Sequence, residues 1–249
     1  PGYVSTLGWS YNELARQLRE LEKLDEAQEA IRRAITLDEQ VVMDHPGVPE
    51  YAFALAWAYW ELGVELNLLG KSDGVIEAFK KAIEIDEQLV RDHPDVPTYL
   101  ADLAASYYGL GNTFNRLDNR SEATTQYNKA IEIRERLVKE YPDVPAYVSY
   151  LGSSYNTLGL LYEKSDEPEG AMEAFVKATS SFEMAAENAP EVVRYRTSIA
   201  TTYSNQARVF TTLKKPNEAD ESYKNACAIY ETLAKETPDS VSYIDSLAI

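Results

Sequence analysis

The side chains best suited to catalysis or metal binding are few in this sequence. Among 249 residues there are two histidines, His45 and His93, each directly before a proline. Two histidines on neighbouring segments could bind a transition metal together. The equivalent positions later in the chain hold other residue types, namely Tyr141, Ala189 and Thr237. The histidines are therefore predicted to pack at a joint, and no metal site is expected.

The single cysteine is also a poor candidate for a nucleophile. Cys227 takes the position that Ile35 and Ile83 hold earlier in the chain, so it is predicted to be a small core residue. Acidic pairs such as Asp86-Glu87 fit a solvated helix face. The sequence has no glycine-rich phosphate loop and no CxxC pair. We expect neither catalysis nor a cofactor.

The charge balance limits the classes of partner. Asp and Glu number 41 against 24 Lys and Arg, which gives a net charge of −17. Such a chain is not expected to bind nucleic acid or anionic membranes, because both require positive charge. The longest near-apolar run, 51–60, is too short to cross a bilayer. With one cysteine and no visible signal peptide, a cytoplasmic location is expected.

A fixed period organises the whole sequence. A proline returns every 48 residues, and a tyrosine follows five residues after each one. The prolines are Pro46, Pro94, Pro142, Pro190 and Pro238. A second tyrosine series consists of Tyr11, Tyr59, Tyr107, Tyr155 and Tyr203, which we interpret as packing positions. Such a period predicts a stacked array. We predict a single repeat domain over 1–249, with repeats of about 1–48, 49–96, 97–144, 145–192 and 193–240 and a partial repeat at 241–249. Both ends are expected to be cuts within a longer array.

Each repeat is predicted to be a hairpin of two helices. In the third repeat, the proline-rich break at 94–97 precedes an apolar pattern with helical spacing over about 98–117, and a second such pattern covers about 122–140. Asp95, Asp143 and Asp239 are predicted to cap the first helices. Small residues recur on one face of these helices, as at Gly63, Gly111 and Gly159. We expect them to face large side chains at close helix contacts.

These spacings resemble the tetratricopeptide repeat. The third repeat carries the pattern Tyr107-x2-Leu110-Gly111-x2-Phe114-x8-Ala123-x3-Tyr127-x2-Ala130. The resemblance implies an all-α, right-handed superhelical solenoid of antiparallel helical hairpins, with five full repeats and the start of a sixth. The family repeat has about 34 residues, so the longer period indicates a long-helix variant. The joint also resembles repeats of large multidomain bacterial proteins. A HEAT-like array, with a period of up to about 47, is the competing fold.

The resemblance also implies where a partner would bind. In the family, the first helix of each repeat lines a concave groove that receives an extended peptide or a partner helix. The candidate groove residues are Trp9, Asn12, Arg16, Trp57, Trp60, Tyr108, Asn112, Asn156 and Arg208. The tryptophans with Tyr108 form either an exposed binding patch or part of the core. Arg16, Arg116 and Arg208 favour an acidic ligand unless they are simply solvated.

The predicted function is therefore that of a non-catalytic scaffold that binds a protein or peptide in this groove. The alternative is a structural element that stacks or oligomerises through its ends. Some family members hold a C-terminal carboxylate with a lysine and asparagine clamp. Here the clamp lysine positions hold Asn12, Trp60, Tyr108, Asn156 and Ser204, so that role is not expected.

Overall fold

The computed structural model of the protein describes residues 2–71 and 74–236, with side chains from residue 6 onward. These residues form ten α-helices and no strand. The first helices of the hairpins, called A helices, are α1 (Gly2–Glu20), α3 (Pro49–Leu68), α5 (Pro97–Arg116), α7 (Pro145–Lys164) and α9 (Val193–Thr212). The second helices, called B helices, are α2 (Leu24–Asp44), α4 (Val75–Asp92), α6 (Arg120–Glu140), α8 (Pro168–Asn188) and α10 (Pro216–Glu236). The predicted sixth repeat lies outside the described residues.

The helices group into two compact units, Pro1–Ile133 and Arg134–Ile249, which divide within α6. In the first unit, α1 packs on α2, α2 on α3, α3 on α4 and α4 on α5, and the A helices α1, α3 and α5 also contact one another in order. In the second unit, α7, α8, α9 and α10 pack in the same sequential manner, and α7 contacts α9. The predicted all-α array of helical hairpins is confirmed.

The joints between repeats differ from the prediction in how the A helices begin. The N-cap residues are Val48, Val96 and Val144, all in extended conformation and without a side-chain cap. The Val96 N–H donates to the His93 carbonyl oxygen at 3.2 Å and closes a turn around the proline. Asp95 lies inside this turn, one residue too early to cap α5. The prediction that Asp95 and Asp143 are caps is therefore wrong, and Asp239 lies outside the described residues.

The A helices of all five repeats end in the same left-handed turn. The residues with positive φ are Glu22, Gly70, Asp118, Asp166 and Lys214, with φ between 57° and 66°. At the end of α5, the Asp118 N–H donates to the Asn115 carbonyl oxygen and the Asn119 N–H to that of Phe114. This is the Schellman arrangement, in which glycine is usually favoured at the left-handed residue. Only Gly70 has the residue type that adopts this conformation without strain.

Close contacts between small and large residues hold the second, third and fourth hairpins together, as predicted. A Cβ on Gly63 would lie 2.8 Å from the Phe79 ring, and one on Gly159 would lie 2.6 Å from the Phe175 ring. The aromatic side chains at these contacts are fully buried. Because the rings occupy the space of the missing side chains, the two helices of a hairpin approach closely and bury a continuous apolar seam.

The second tyrosine series ties successive repeats together. Tyr107 on α5 is buried, and its hydroxyl donates a 2.5 Å hydrogen bond to Glu87 on α4 of the preceding repeat. The Lys129 ammonium of α6 lies over the same ring, 4.8 Å from its centroid. Equivalent sets are Tyr59 with Glu39 and Lys81, and Tyr155 with Glu135 and Lys177. The packing role predicted for Tyr59, Tyr107 and Tyr155 is confirmed.

Candidate functional site

Two of the three tryptophans are exposed on A helices. Trp9 on α1 is 63% exposed and Trp57 on α3 is 40% exposed. Trp57 stacks on Trp60, with ring centroids 5.1 Å apart and an angle of 32° between the planes. Trp60 itself is partly buried and packs against the core of the first unit. The rings of Trp9 and Trp57 are thus exposed, whereas the ring of Trp60 takes part in core packing.

Tyr108 belongs with the packed members. Its ring lies 5.7 Å from the Tyr127 ring, and its side chain packs against the core of the first unit. The Tyr127 hydroxyl donates to the Asn112 side-chain oxygen at 2.8 Å. Tyr108 and Asn112 therefore support the buried ring of Tyr127, and both side chains are only partly exposed to solvent.

The candidate arginines are paired within the chain. Arg16 forms ion pairs with Glu13 and Glu20 on its own helix. Arg208 binds both carboxylate oxygens of Glu163, at 3.1 and 2.7 Å. The third arginine, Arg116, donates to a backbone carbonyl of α3. An acidic ligand would have to compete with these partners, so the structure gives the predicted acidic-ligand preference no support.

The candidate asparagines lie deeper than the exposed tryptophans. Asn12 on α1 is buried. Asn156 on α7 accepts a 2.9 Å hydrogen bond from the Asn205 amide of α9. Asn205 also accepts from Arg208 at 2.8 Å, so a polar chain joins the neighbouring A helices α7 and α9. Of the nine candidates, Trp9, Arg16, Trp57 and Arg208 are exposed.

The sequence interpretation failed at the buried carboxylates. Asp86 on α4 is only 2% exposed, and Asp38 on α2 is equally buried. The interpretation of Asp86-Glu87 as a solvated pair is therefore wrong. Asp86 accepts a 3.1 Å hydrogen bond from the Ser106 hydroxyl, and Glu87 accepts the hydrogen bond from Tyr107. Asp86 is thus turned inward, whereas Glu87 remains partly exposed and contacts the next A helix through Tyr107.

The sequence did contain a signal for this burial. Asp86 lies four residues after Ala82 and three before Leu89, on the apolar stripe of α4. The same repeat position holds Phe182 and Tyr230 further along the chain, and both are buried. A large apolar residue in equivalent repeats indicates an inward position, and this comparison would have identified Asp38 and Asp86 as buried acids.

A small cavity lies beside Asp86. Its walls come from α3, α4 and α5, and its volume is about 10 Å³. They include Trp57, Trp60, Asp86 and Asp102. Burial and, to a smaller extent, the nearby charge of Asp102 raise the pKa of Asp86 to about 8, although the hydrogen bond from Ser106 opposes the rise. Burial also raises the pKa of Asp102 to about 6. The two carboxyl groups therefore hold protons at pH values where exposed carboxyl groups are ionised.

The histidines and the cysteine lie in surroundings that fit packing. His45 lies 6.0 Å from the Tyr51 ring and His93 lies 6.1 Å from the Tyr99 ring, which supports joint packing. Cys227 is partly buried on α10. In the described part of the chain, no group of three His, Cys, Asp or Glu side chains could hold a metal ion. None of its helices has an apolar stretch that could cross a membrane.

Comparison with known proteins decides between the two candidate folds. Family models of the tetratricopeptide repeat match residues 10–41, 56–89, 103–143 and 152–182, more than half of the chain. This chain is a tetratricopeptide repeat protein. The alternative fold, a HEAT-like array, is therefore wrong. No curated protein sequence matches the chain.

Solved structures share the tetratricopeptide fold at low sequence identity. BtubC (BKLC) from P. vanneervenii matches with a TM-score of 0.73 and 18% identity, over 92% of this chain and 82% of BtubC. Nearly identical TPR-like repeats from Podosopora anserina match with a TM-score of 0.66 and 18% identity, over 94% of this chain and 98% of theirs. MamA matches with a TM-score of 0.53 and 20% identity, over 89% and 96%. At these identities the likeness concerns the fold alone.

Membership of the family gives a general expectation of function. Tetratricopeptide repeats generally mediate protein–protein interactions, and scaffolds of the family are typically non-catalytic. In this tetratricopeptide protein, the variable A-helix positions include exposed tryptophans in the first two repeats and paired arginines in the first and fifth.

Proposed function

We propose that this chain is a non-catalytic scaffold that binds a peptide or a helix of a partner protein along its A helices. The observation that carries the proposal is the exposure of Trp57, which stacks on the core-anchored ring of Trp60. A large aromatic side chain that is exposed yet held in one orientation loses little conformational freedom on binding. Tryptophan is also enriched among the residues that dominate binding energy at interfaces.

Peptide selection tests this proposal directly. A random peptide library is selected against the whole chain, and the affinity of a selected peptide is measured by calorimetry. Trp57→Ala is expected to weaken binding at least about tenfold, which is the usual scale for an interface hot spot. Met43→Ala is the matched control, because Met43 is an exposed apolar residue on the B helix α2.

Circular dichroism would show whether both variants keep their helical content. A selected peptide that binds Trp57→Ala as tightly as the parent protein would contradict the proposed site. So would equal weakening by Met43→Ala, since the effect would then not depend on the A-helix surface.

The second candidate function is self-association, and the exposed face of α1 favours it. Leu7 is 47% and Leu14 is 45% exposed, whereas the equivalent Leu55 and Leu62 are buried in the core of the first unit. The same apolar surface that binds a neighbouring repeat inside the array is thus open on α1. A second copy of the chain would cover it with a B-helix face.

Light scattering over a concentration series tests self-association. If copies associate through α1, the molar mass should rise with protein concentration, and Leu14→Glu should abolish that rise. A constant monomer mass at high concentration would exclude this function and leave the peptide-binding proposal unaffected.

A further inference from the structure

One contact recurs at every boundary between the described repeats. A tyrosine of each A helix donates to a glutamate that lies twenty residues earlier, on the B helix of the preceding repeat. The pairs are Tyr59 with Glu39, Tyr107 with Glu87, Tyr155 with Glu135 and Tyr203 with Glu183. A repeat boundary in this chain is therefore formed by a tyrosine from one side and a glutamate from the other.

The first and last repeats each hold one half of this contact. Tyr11 has the tyrosine position on α1, and within its unit α1 packs on α2 and α3 alone. The Arg33 guanidinium lies 6.0 Å from the centroid of the Tyr11 ring, in the place that lysines take in the next three repeats. Glu231 has the glutamate position on α10 and is exposed. A tyrosine with its cation thus lies on α1, and the matching carboxylate lies on α10.

The apolar contact between repeats is open on the same two helices. At the first boundary, Ile35 of α2 and Leu62 of α3 are buried and line a common cavity. Leu14 has the position of Leu62 on α1 and is 45% exposed. Cys227 has the position of Ile35 on α10 and is only partly buried. The surfaces of α1 and α10 therefore carry the two halves of an apolar contact that is closed between neighbouring repeats.

A charged contact between repeats also has its two halves at these ends. At the first boundary, Lys71 donates to Asp25 and to Gln28 of the preceding repeat, at 2.9 Å each. Lys23, directly after α1, has the position of Lys71, and Asp220 on α10 has the position of Gln28. Both now form exposed ion pairs with neighbours in their own repeats. Such pairs contribute little to stability, so they can be exchanged for a contact between copies.

We infer that α10 of one copy packs on α1 of another copy, in the register in which α2 packs on α3. The Tyr11 hydroxyl then donates to Glu231, next to Arg33. Leu14 covers Cys227 in the same contact. The inference rests on self-association, the second candidate function, and it names the surface that covers α1. The occupant follows from continuity with the repeat boundaries, because each unmatched group on α1 has its complement on α10.

This contact joins two different surfaces, so a pair of copies still has a free α1 and a free α10. Association of this head-to-tail kind continues until a ring closes or a filament forms. A symmetric contact between two α1 faces would instead stop at a dimer. It would also give Tyr11 no glutamate of the kind that the other tyrosines of the series have. The stoichiometry of association therefore distinguishes the two arrangements.

Two variants that each block one surface test the inference on the whole chain by light scattering. Leu14→Glu places a charge in the apolar contact of α1, and Glu231→Lys places a cation opposite Arg33. Each variant alone should remain a monomer at concentrations where the parent associates. An equimolar mixture should form a dimer and stop there, at about twice the monomer mass, because only one pair of intact surfaces remains.

Glu221→Lys is the matched control for Glu231→Lys. It makes the same change of charge at another exposed position of α10. The equivalent Glu77 of α4 lines the cavity shared with α2 and α3, so this position faces the preceding repeat. The control variant should associate as the parent does.

The outcomes separate this inference from the functions on which it builds. A parent protein that stays monomeric would overturn self-association and the α10 contact together, and peptide binding would be unaffected. If the parent associates and Glu231→Lys associates equally well, the α10 contact is wrong while self-association stands. A mixture that gains no mass over the separate variants would have the same meaning. Equal loss of association in Glu221→Lys would also overturn the contact, since net charge would then be the cause.

Discussion

The Tyr107 hydroxyl donates a 2.5 Å hydrogen bond to Glu87, across the boundary between the second and third repeats. The ring is buried and its acceptor is charged. Tyr107→Phe should therefore lower the free energy of unfolding by about 1.5–3 kcal/mol, the range for hydrogen bonds to charged groups. Urea unfolding measures this loss.

The control for Tyr107→Phe is Tyr203→Phe. Tyr203 has the equivalent position, but its ring is partly exposed and its hydrogen bond to Glu183 is 3.2 Å long. Its loss should cost less. If the two variants lose the same amount, the hydrogen bond at Tyr107 is not the source of the effect.

Gly159→Ala should destabilise the protein although alanine favours helices by about 1 kcal/mol. The added methyl would lie 2.6 Å from the Phe175 ring, and overpacking of this kind costs roughly 1–3 kcal/mol. Gly170→Ala is the matched control, because its methyl would lie 3.4 Å from the Tyr162 ring, an ordinary contact. Thermal melting should show a lower Tm for Gly159→Ala and an unchanged or higher Tm for Gly170→Ala. A reversed order would disprove the close approach of α7 and α8.

Asp86→Asn should change how stability depends on pH. The folded pKa of about 8 exceeds that of an unfolded aspartate near 3.8, so the native state binds the proton more tightly. Stability from this group is present below pH 4 and declines as pH rises to about 8. The variant should match the parent near pH 4 and exceed it by several kcal/mol at pH 8, because each unit of difference in pKa corresponds to about 1.4 kcal/mol.

Urea unfolding from pH 4 to 9 measures the difference between Asp86→Asn and the parent. A smaller slope should persist in the variant between pH 4 and 6, because burial also raises the pKa of Asp38 and Asp102 to about 6. Asp95→Asn should follow the parent curve. Parallel curves for the parent and Asp86→Asn would contradict the raised pKa.

Lys214→Gly should stabilise the turn after α9. Lys214 has φ of +57°, a conformation that costs a residue with a side chain roughly 1 kcal/mol relative to glycine. The reverse change, Gly70→Ala, should cost a similar amount at the equivalent turn, where an added Cβ would have no atom within 4 Å. The added methyl at Gly70 therefore meets no neighbour, and the cost comes from strain of the backbone less the smaller entropy of the unfolded chain. Opposite shifts in Tm of a few degrees are expected, and shifts of the same sign would contradict this account.

The period of the sequence predicted the hairpins, the close contact of glycine with rings and the packed tyrosines, because each depends on residues within one repeat or its neighbour. The predicted caps were wrong because the N-cap position is the valine after Asp95, not Asp95 itself. At the candidate site, the repeat period does not indicate which tryptophan is exposed, and in the structure Trp57 is exposed while Trp60 packs inward. That difference depends on what fills the space between α3 and α5. The buried acid at Asp86 was missed because its charge was given more weight than its position on the apolar stripe.

The bond between Tyr107 and Glu87 also affects how the array comes apart. Each such tyrosine contacts the B helix before it and the B helix after it, so a single helix cannot leave without exposing a ring and a carboxylate. Fraying should therefore advance by whole hairpins. Amide protons of α3 and α4, the two helices of the hairpin that carries Glu87, should exchange with solvent deuterium at similar rates, as members of one cooperative opening event.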